Sequence, residues 1–348
     1  MAFRRKRRAT IHDVAKKAGV AFKTVSRVIN NELNVSPEKR EKVREAIKSL
    51  NYTPSIAARV LAGNRSFLVG LLYDTPSSYY MNSIQIGALQ RCREAGFHLI
   101  LELCSSGARS AAATIISSIE NTRMDGVILT PPVSDNEAIR NAIVRHNIPL
   151  VVISPPRLLD NVSCVYMDDR RAAFDMAKYL ISLGHDRIGF IKGLPSHGAA
   201  RLRLLGYQDA LISSGIEPSP ALVKDGNFRF QAGVEAATLL LRHKAPPTAI
   251  IASNDEMAAG VVTAAHRLGV SIPNELSVAG FDDVPYASIT WPALTTIRQP
   301  IVEMAAGAAG LLLDQIQSRG ERTSAARPSL SFQYEMKIRE STGPSPRK

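Results

Sequence analysis

The sequence predicts a small all-α module joined to a large α/β body of two doubly wound parallel-sheet halves. Three observations lead there. Up to Leu50 the apolar residues recur at helical spacing, and beyond Phe67 short apolar runs alternate with amphipathic stretches. That alternation implies parallel sheets covered by helices on both faces. The third observation is charge. Residues 1–65 carry 16 Lys/Arg against 5 Asp/Glu and the remaining 283 carry 27 against 26, so nearly all of the net +12 lies at the front. A basic module on a nearly neutral body points to a polyanionic partner for the module alone. At 348 residues and 45% hydrophobic, the chain is too long for one ordinary domain and too apolar for wholesale disorder.

In the first module, Thr10-Ile11-His12-Asp13 has the pattern of a capped helix start, a Thr answered by an acid three residues on. Ile11, Val14, Ala15 and Ala18 then repeat at helical spacing until Gly19 breaks the pattern. Val25, Val28 and Ile29 mark a second helix, and two short helices joined by a Gly-containing turn form a helix-turn-helix headpiece. Ser36-Pro37 opens a third, with Ser at the N-cap, Pro at the first position and Val43, Ala46, Ile47 and Leu50 as its apolar stripe. In such a motif the start of the second helix faces base edges in the major groove. Lys23 and Arg27, preceded by Phe22, are the candidate readers, because either can donate to guanine O6 or N7. Lys16, Lys17, Arg4–Arg8 and Arg59 are candidate phosphate contacts, which supply affinity and salt dependence but no sequence information. Any single lysine among them is better explained as part of a solvated helix face. The module as a whole, with its charge and spacing, is not.

In the body, strands are predicted at Leu68–Tyr73, His98–Leu103, Gly126–Thr130, Leu150–Ser154, Cys164–Met167, Ile188–Lys192, Ala249–Ser253 and Ser277–Phe281. Helices such as Ile84–Ala95 and Arg171–Leu183 lie between them, and Gly96, Gly184 and Gly269 stand where helix C-caps are expected. Ligands of doubly wound folds bind beyond the carboxyl ends of the strands. That rule nominates Asp74, Ser253-Asn254-Asp255 and Phe281-Asp282-Asp283. A strand-end Asp also serves as a helix N-cap, the role expected of Asp255 and Asp283. Trp291 either lines the cleft or plugs the hinge between the halves.

Several classes are set aside. Cys92, Cys104 and Cys164 are odd in number and widely spaced, which argues against a disulfide framework or a zinc site. No metal or cofactor is expected. No apolar segment follows the charged Met1–Arg8, so no secretory signal is expected, and no apolar run reaches the roughly 20 residues that span a bilayer. Gly193–Gly198 spaces two glycines like a phosphate loop, but Ala199-Ala200 stands where that chemistry needs Lys-Ser/Thr. Ser36-Pro37-Glu38-Lys39 and Ser134-Asp135-Asn136 imitate two β-lactamase motifs without the third, and no His-Glu-x-x-His occurs. No enzyme is expected.

Thr10-Ile11-His12-Asp13-Val14-Ala15-Lys16-Lys17-Ala18-Gly19-Val20, then Thr24-Val25-Ser26-Arg27-Val28-Ile29-Asn30, resembles the headpiece of the lactose-repressor family of bacterial transcription regulators. Val35-Ser36-Pro37-Glu38 through Leu50-Asn51-Tyr52-Thr53-Pro54, and Pro54-Ser55-Ile56-Ala57-Ala58-Arg59-Val60-Leu61-Ala62-Gly63, keep the family order. The resemblance covers roughly residues 9–340. It implies a DNA-binding headpiece at 1–53, a hinge helix at 54–65 and a periplasmic-binding-protein-like effector and dimerisation body at 66–340. Lobe one would comprise about 66–165 and 298–328, lobe two about 166–297 and 329–340, and 341–348 would be a polar tail.

Residues 55–62 would form a two-turn helix, marginal alone. The resemblance implies that it orders in the minor groove against its dimer mate, with Leu61 at the position of the leucine wedge that kinks the duplex. The implied DNA contacts are Thr10, Phe22, Lys23, Thr24, Ser26, Arg27 and Asn30, then Tyr52, Ser55, Ala58 and Leu61. In the body, Arg203, Asn254 and Asp282 match effector-binding positions, and Phe228 matches the aromatic platform on which the effector stacks. Taken alone, Phe228 reads as core. The sequence departs from the family in the Asp74–Asn82 loop, where Tyr79 and Tyr80 widen the aromatic surface. It departs again at Ser154-Pro155-Pro156, where some members carry an acidic effector contact. Asp74, Tyr79 and Ser154 therefore join the candidate effector set.

The implied function is a repressor of a carbohydrate-utilisation operon, released from a pseudo-palindromic double-stranded operator by a sugar or glycoside. It would act as a homodimer, cytoplasmic and nucleoid-associated, with no membrane partner. An activator or a corepressor-dependent repressor with a non-sugar effector would leave a similar sequence. A sugar-transport protein with the same body would need an export signal, and an architectural DNA-binding protein would ignore small molecules. The Pro-rich, polar end of the chain carries no leucine heptad for tetramer formation.

Overall fold

The computed structural model describes residues 9–29, 34–52, 65–74, 78–318 and 327–346. Arg4–Arg8, Asn30 and the expected hinge helix with Ser55, Ala58, Arg59 and Leu61 lie outside the described residues. The chain divides into two compact units, Met1–Phe67 and Leu68–Lys348.

The first unit contains α1 (Ile11–Ala18), α2 (Phe22–Ile29) and α3 (Pro37–Ser49). Thr10 and Asp13 form the expected capping box. The Asp13 amide donates to Thr10 Oγ1 at 3.3 Å, and the Thr10 amide donates to Asp13 Oδ2 at 2.8 Å. Two of the helix's orphan donors are thereby satisfied. Gly19 ends α1 at φ 64°, a left-handed conformation that a side chain would strain. Ser36 occupies the N-cap of α3 with Pro37 behind it, although its hydroxyl makes no capping bond. Val14, Ala15, Ala18, Val25, Val28, Val43, Ala46 and Tyr52 form the shared core.

The second unit contains two six-stranded sheets among the described residues. Its strands are β1 (Leu68–Tyr73), β2 (His98–Leu103), β3 (Gly126–Leu129), β4 (Leu150–Ile153), β5 (Ser163–Tyr166), β6 (Ile188–Ile191), β7 (Val223–Lys224), β8 (Ala249–Ala252), β9 (Ser277–Asp282), β10 (Thr295–Arg298), β11 (Leu330–Ser331) and β12 (Glu335–Lys337). Lobe one has the order β11-β5-β4-β3-β1-β2, and lobe two β12-β10-β9-β8-β6-β7. Every pairing is parallel except β10 with β12. The central strands are buried along their whole length, which is why they read as unbroken apolar runs rather than alternating ones.

The chain crosses between the lobes three times: after β5, after β10 and after β11. The third crossing corrects the expected division, which gave residues 329–340 to lobe two. Leu330 and Ser331 instead pair with Val165 and Tyr166 at the edge of lobe one. Two residues carry too little periodicity to announce a strand; the open edge of β5 creates it.

The polar tail is also corrected. Ser341 is wholly buried, and its Oγ donates to the Val278 carbonyl at 2.6 Å and accepts from the Thr295 amide at 2.8 Å. The Gly343 amide donates to Ser277 Oγ and the Ser345 amide to the Leu183 carbonyl. Composition marks this end as a polar tail, yet polar groups stay buried when each finds a partner.

Close helix packing positions the site. The helix Gly198–Ser213 lies so near Asp169–Ser182 that a Cβ on Gly206 would come 2.0 Å from the Arg170 carbonyl oxygen. Gly206 follows Arg203 by one turn, so this approach also sets where Arg203 points.

Candidate functional site

In the headpiece, Val25 and Val28 of α2 face the core. The opposite face carries Phe22, Lys23, Ser26 and Arg27, neighbours at i and i+4. Phe22 is 49% exposed and its ring lies 5.7 Å from that of His12, while Lys23 and Arg27 are exposed. Thr24 and Ser26 are half-buried, Thr24 on the flank of this face. Thr10 spends its hydroxyl on Asp13, donating to Oδ2 at 2.7 Å. Tyr52, expected among the DNA contacts, is 8% exposed and packs in the headpiece core, because its ring caps the small apolar cluster left open between the helices. Lys16 and Lys17 stay exposed at the end of α1.

In the body, strand ends and helix starts enclose a cleft of about 420 Å³ lined by Tyr80, Pro131, Ser154, His197, Ala199, Arg203, Phe228, Asn254 and Asp282. Pro131 and Ser154 follow β3 and β4 of lobe one; Asn254 follows β8 and Asp282 ends β9 of lobe two. Five predicted residues, Ser154, Arg203, Phe228, Asn254 and Asp282, thus share one cavity. Three of them hold a left-handed backbone: Ser154 at φ 50°, Phe228 at 67° and Asp282 at 108°. Such strained residues cluster at ligand sites, where the surrounding structure over-determines them.

Arg203 organises the floor. Its Nε donates to Asp169 Oδ1 at 2.8 Å, its Nη1 donates to the Ser253 carbonyl at 2.5 Å, and Nη1 lies 3.5 Å from Asp282 Oδ1. Its guanidinium stacks 3.7 Å from the centre of the Phe281 ring. Asp282 also accepts from Gln299 Nε2 at 2.6 Å. Burial pushes the Asp282 carboxyl up to about 6, against the pull of Arg203 and Gln299, and burial raises Asp169 too. Asn254 caps the helix Asp255–Arg267, accepting from the Met257 amide, and donates from Nδ2 to the Phe228 carbonyl.

Asp255 and Asp283, expected as N-caps, serve otherwise. Asp255 is wholly buried and accepts from the Val284 amide and the Thr296 hydroxyl, while Asp283 pairs with Arg339 at 2.6 Å. The chain turns at Asp282 and Asp283 with positive φ, which aims each carboxylate at a long-range partner instead of the next helix.

Two candidates fall outside the cavity. Asp74 accepts from the Ser106 amide and hydroxyl at 2.9 and 2.7 Å, pinning the loop after β2. Tyr79 is exposed and packs edge-on against Tyr286, ring centres 5.2 Å apart. Its neighbour Tyr80 enters the cleft instead, because the helix begins at Ser78 and turns adjacent residues about 100° apart. Trp291 neither lines the cleft nor plugs a hinge; it is 81% exposed.

His197 was missed, since nothing in Ser196-His197-Gly198 marks it locally. Its Nε2 is buried without a hydrogen-bond partner, and Ser154 Oγ makes no well-aligned hydrogen bond. Burial, helped by Arg203, pushes the His197 imidazole down to about 4, so it stays neutral near pH 7. The lobes also touch beside it, where Asp135 Oδ2 accepts from the Gly198 amide at 2.7 Å.

A helix-turn-helix unit with an exposed basic face on its second helix, followed by a two-lobed body with a polar cleft, defines a ligand-responsive DNA-binding regulator. A model described as bacterial regulatory proteins, lacI family, matches residues 10–55, and one described as a periplasmic binding protein-like domain matches residues 177–342. The chain is 33% identical over 340 residues to the HTH-type transcriptional regulator DegA of Bacillus subtilis (strain 168), covering 97% of this chain and 99% of that relative. It is 34% identical over 310 residues to the ribose operon repressor of Escherichia coli (strain K12), covering 88% and 93%. Among solved structures, the lac repressor dimer bound to operator and the anti-inducer ONPF superposes with a TM-score of 0.78 at 27% identity, over 97% of this chain and all of that one. The chain belongs to the lacI family of bacterial regulatory proteins.

Proposed function

We propose that the protein is a homodimeric repressor of a carbohydrate-utilisation operon that leaves its operator when a sugar or glycoside enters the cleft. The observation that carries this reading is the convergence of Arg203, Asp282, Asn254, Ser154 and the Phe228 ring on one cavity. Charged and amide groups suit hydroxyls, and a planar ring suits the C–H face of a sugar. The proposed role is regulatory rather than catalytic, and cytoplasmic. Operator affinity measured at fixed salt, with and without a sugar that raises the thermal stability of the body, tests it. Coupling of about 1–3 kcal/mol is expected, and it must be reciprocal, so operator DNA weakens the sugar as much as the sugar weakens DNA. An operator affinity unmoved by saturating sugar sinks the mechanism.

The α2 face supports a division of labour on DNA. Arg27→Ala should cost about 1–3 kcal/mol and relax base preference at one operator position. Lys16→Ala should weaken all sequences about evenly and lower the salt slope by roughly one. Identical behaviour of the two variants in salt-dependent titrations of specific and scrambled sites refutes the assignment.

The dimer reading is supported by large apolar side chains left in water. Leu101 and Leu103 are 47% and 72% exposed on the edge strand of lobe one, and Ile289 and Trp291 are 69% and 81% exposed on lobe two. Leu101 and Leu103 share one face of that strand, and contiguous apolar surface left uncovered marks an interaction site. Leu103→Glu combined with Trp291→Glu should turn dimer into monomer in sedimentation velocity and reduce operator affinity. A variant that still sediments as a dimer places the interface elsewhere.

A further inference from the structure

We infer that the cleft selects an uncharged, hydroxyl-bearing ligand and excludes its phosphate ester, with His197 and Ser154 setting that selectivity from opposite lobes. The inference rests on the proposed sugar reading and sharpens it.

The polar atoms of the lining divide into two groups. Arg203 spends Nε on Asp169 and Nη1 on the Ser253 carbonyl and Asp282; Asn254 spends its oxygen on Met257 and its nitrogen on Phe228. Asp282 already accepts from Gln299. In contrast, His197 Nε2 is buried in the lining with no partner, and Ser154 Oγ makes no well-aligned hydrogen bond, its polar neighbour in the lining being the Tyr80 phenol. A buried, unsatisfied polar atom costs stability, so its retention at a cavity wall marks a place where a ligand supplies the missing bond. Ser154 follows β4 of lobe one, and His197 precedes the first helix turn at Gly198 in lobe two. One ligand bonded to both holds the lobes together.

Charge decides the class. Arg203 is the only cation among the described residues that line the cavity, and two carboxylates hold it, Asp282 in the wall and Asp169 behind. His197 contributes no charge, since burial holds it neutral. A phosphate entering here meets a guanidinium already balanced by two carboxylates and must shed its hydration against one of them. A hydroxyl both donates and accepts, which suits a serine hydroxyl and a neutral imidazole in either tautomer. Tyr80, whose phenol burial keeps protonated, adds a neutral polar group.

The test is a thermal-shift and calorimetric panel on the full chain, using D-ribose, cellobiose and D-glucose beside ribose 5-phosphate and glucose 6-phosphate. The expected result is that a neutral sugar binds and its phosphate ester binds at least tenfold more weakly. A phosphate ester that binds as well or better overturns this inference and leaves the sugar reading standing. If none of the five raises the melting temperature, the sugar reading fails and this inference with it.

Two variants add a readout that a merely structural role would not give. Ser154→Ala should weaken the bound sugar about tenfold, the worth of one buried hydrogen bond. The ligand-free protein should meanwhile melt at about the same temperature or higher, because a buried hydroxyl with no well-aligned partner has been removed. His197→Ala should weaken the sugar similarly, and His197→Gln, which keeps a neutral donor and acceptor, should recover part of the loss. A lowered ligand-free melting temperature with unchanged sugar affinity overturns the assignment of the pair.

Discussion

Replacing Arg203 by alanine is expected to destabilise the two-lobed body by about 3–5 kcal/mol, because removing one partner leaves buried opposite charge uncompensated. The side chains of Asp169 and Asp282 are only 4% and 6% exposed, and Arg203 is the cation between them. The loss should depend on pH in a stated direction. Burial already raises both carboxyls, Asp282 to about 6, and without the guanidinium both rise further. The folded variant then holds protons that the unfolded chain releases near its reference of about 4. Its stability is therefore retained at low pH and lost as pH rises through the folded values. Urea unfolding at pH 5 and pH 8 should show the larger deficit, relative to the parent protein, at pH 8. Arg203→Lys should recover little, since one ammonium cannot reproduce the forked contacts to Asp169, the Ser253 carbonyl and Asp282 or the stacking on Phe281. An equal deficit at both pH values, or one below about 1 kcal/mol, contradicts the role given to this triad.

Val25→Asp should abolish operator recognition while leaving ligand binding by the body intact. Val25 is fully buried among a handful of small side chains from three short helices. An unpaired carboxylate there belongs among the most damaging substitutions, on the order of 4 kcal/mol or more. A module of this size has little stability to spare. The headpiece should unfold, leaving only salt-sensitive, sequence-blind attraction. Because the body is a separate compact unit with its own cores, its melting transition and its response to sugar should not move. Operator titration and calorimetry on the same sample separate the two outcomes, and operator affinity kept within tenfold contradicts the assignment of this core.

Much of this was legible before any fold was drawn. The Thr10–Asp13 cap, the left-handed turn at Gly19 and the apolar stripe of α3 are local matters, settled within one or two helical turns. Eight strands stand within about one residue of their sequence positions; apart from the edge strand β2 they are buried on both faces, and such a strand is an unbroken apolar run. Arg203, Phe228, Asn254 and Asp282 were found because strand ends face a ligand and because each matched a family position.

The tertiary structure alone decided the rest. Strands β7, β11 and β12 are two or three residues long and exist through the edges they join. Tyr80 rather than Tyr79 enters the cleft because of where one helix begins, and His197 gains its role from packing beside Phe228, ring centres 4.9 Å apart. Asp255 became an inter-strand clamp, and the C-terminal serines became part of lobe two, only because partners distant in sequence lay within 3 Å. Periodicity and capping act between residues a few positions apart, so the sequence by itself determined the elements, the charge division and the family. Which polar atoms are spent and which remain free depends on pairs brought together by the fold, and those pairs decide what the cleft can hold.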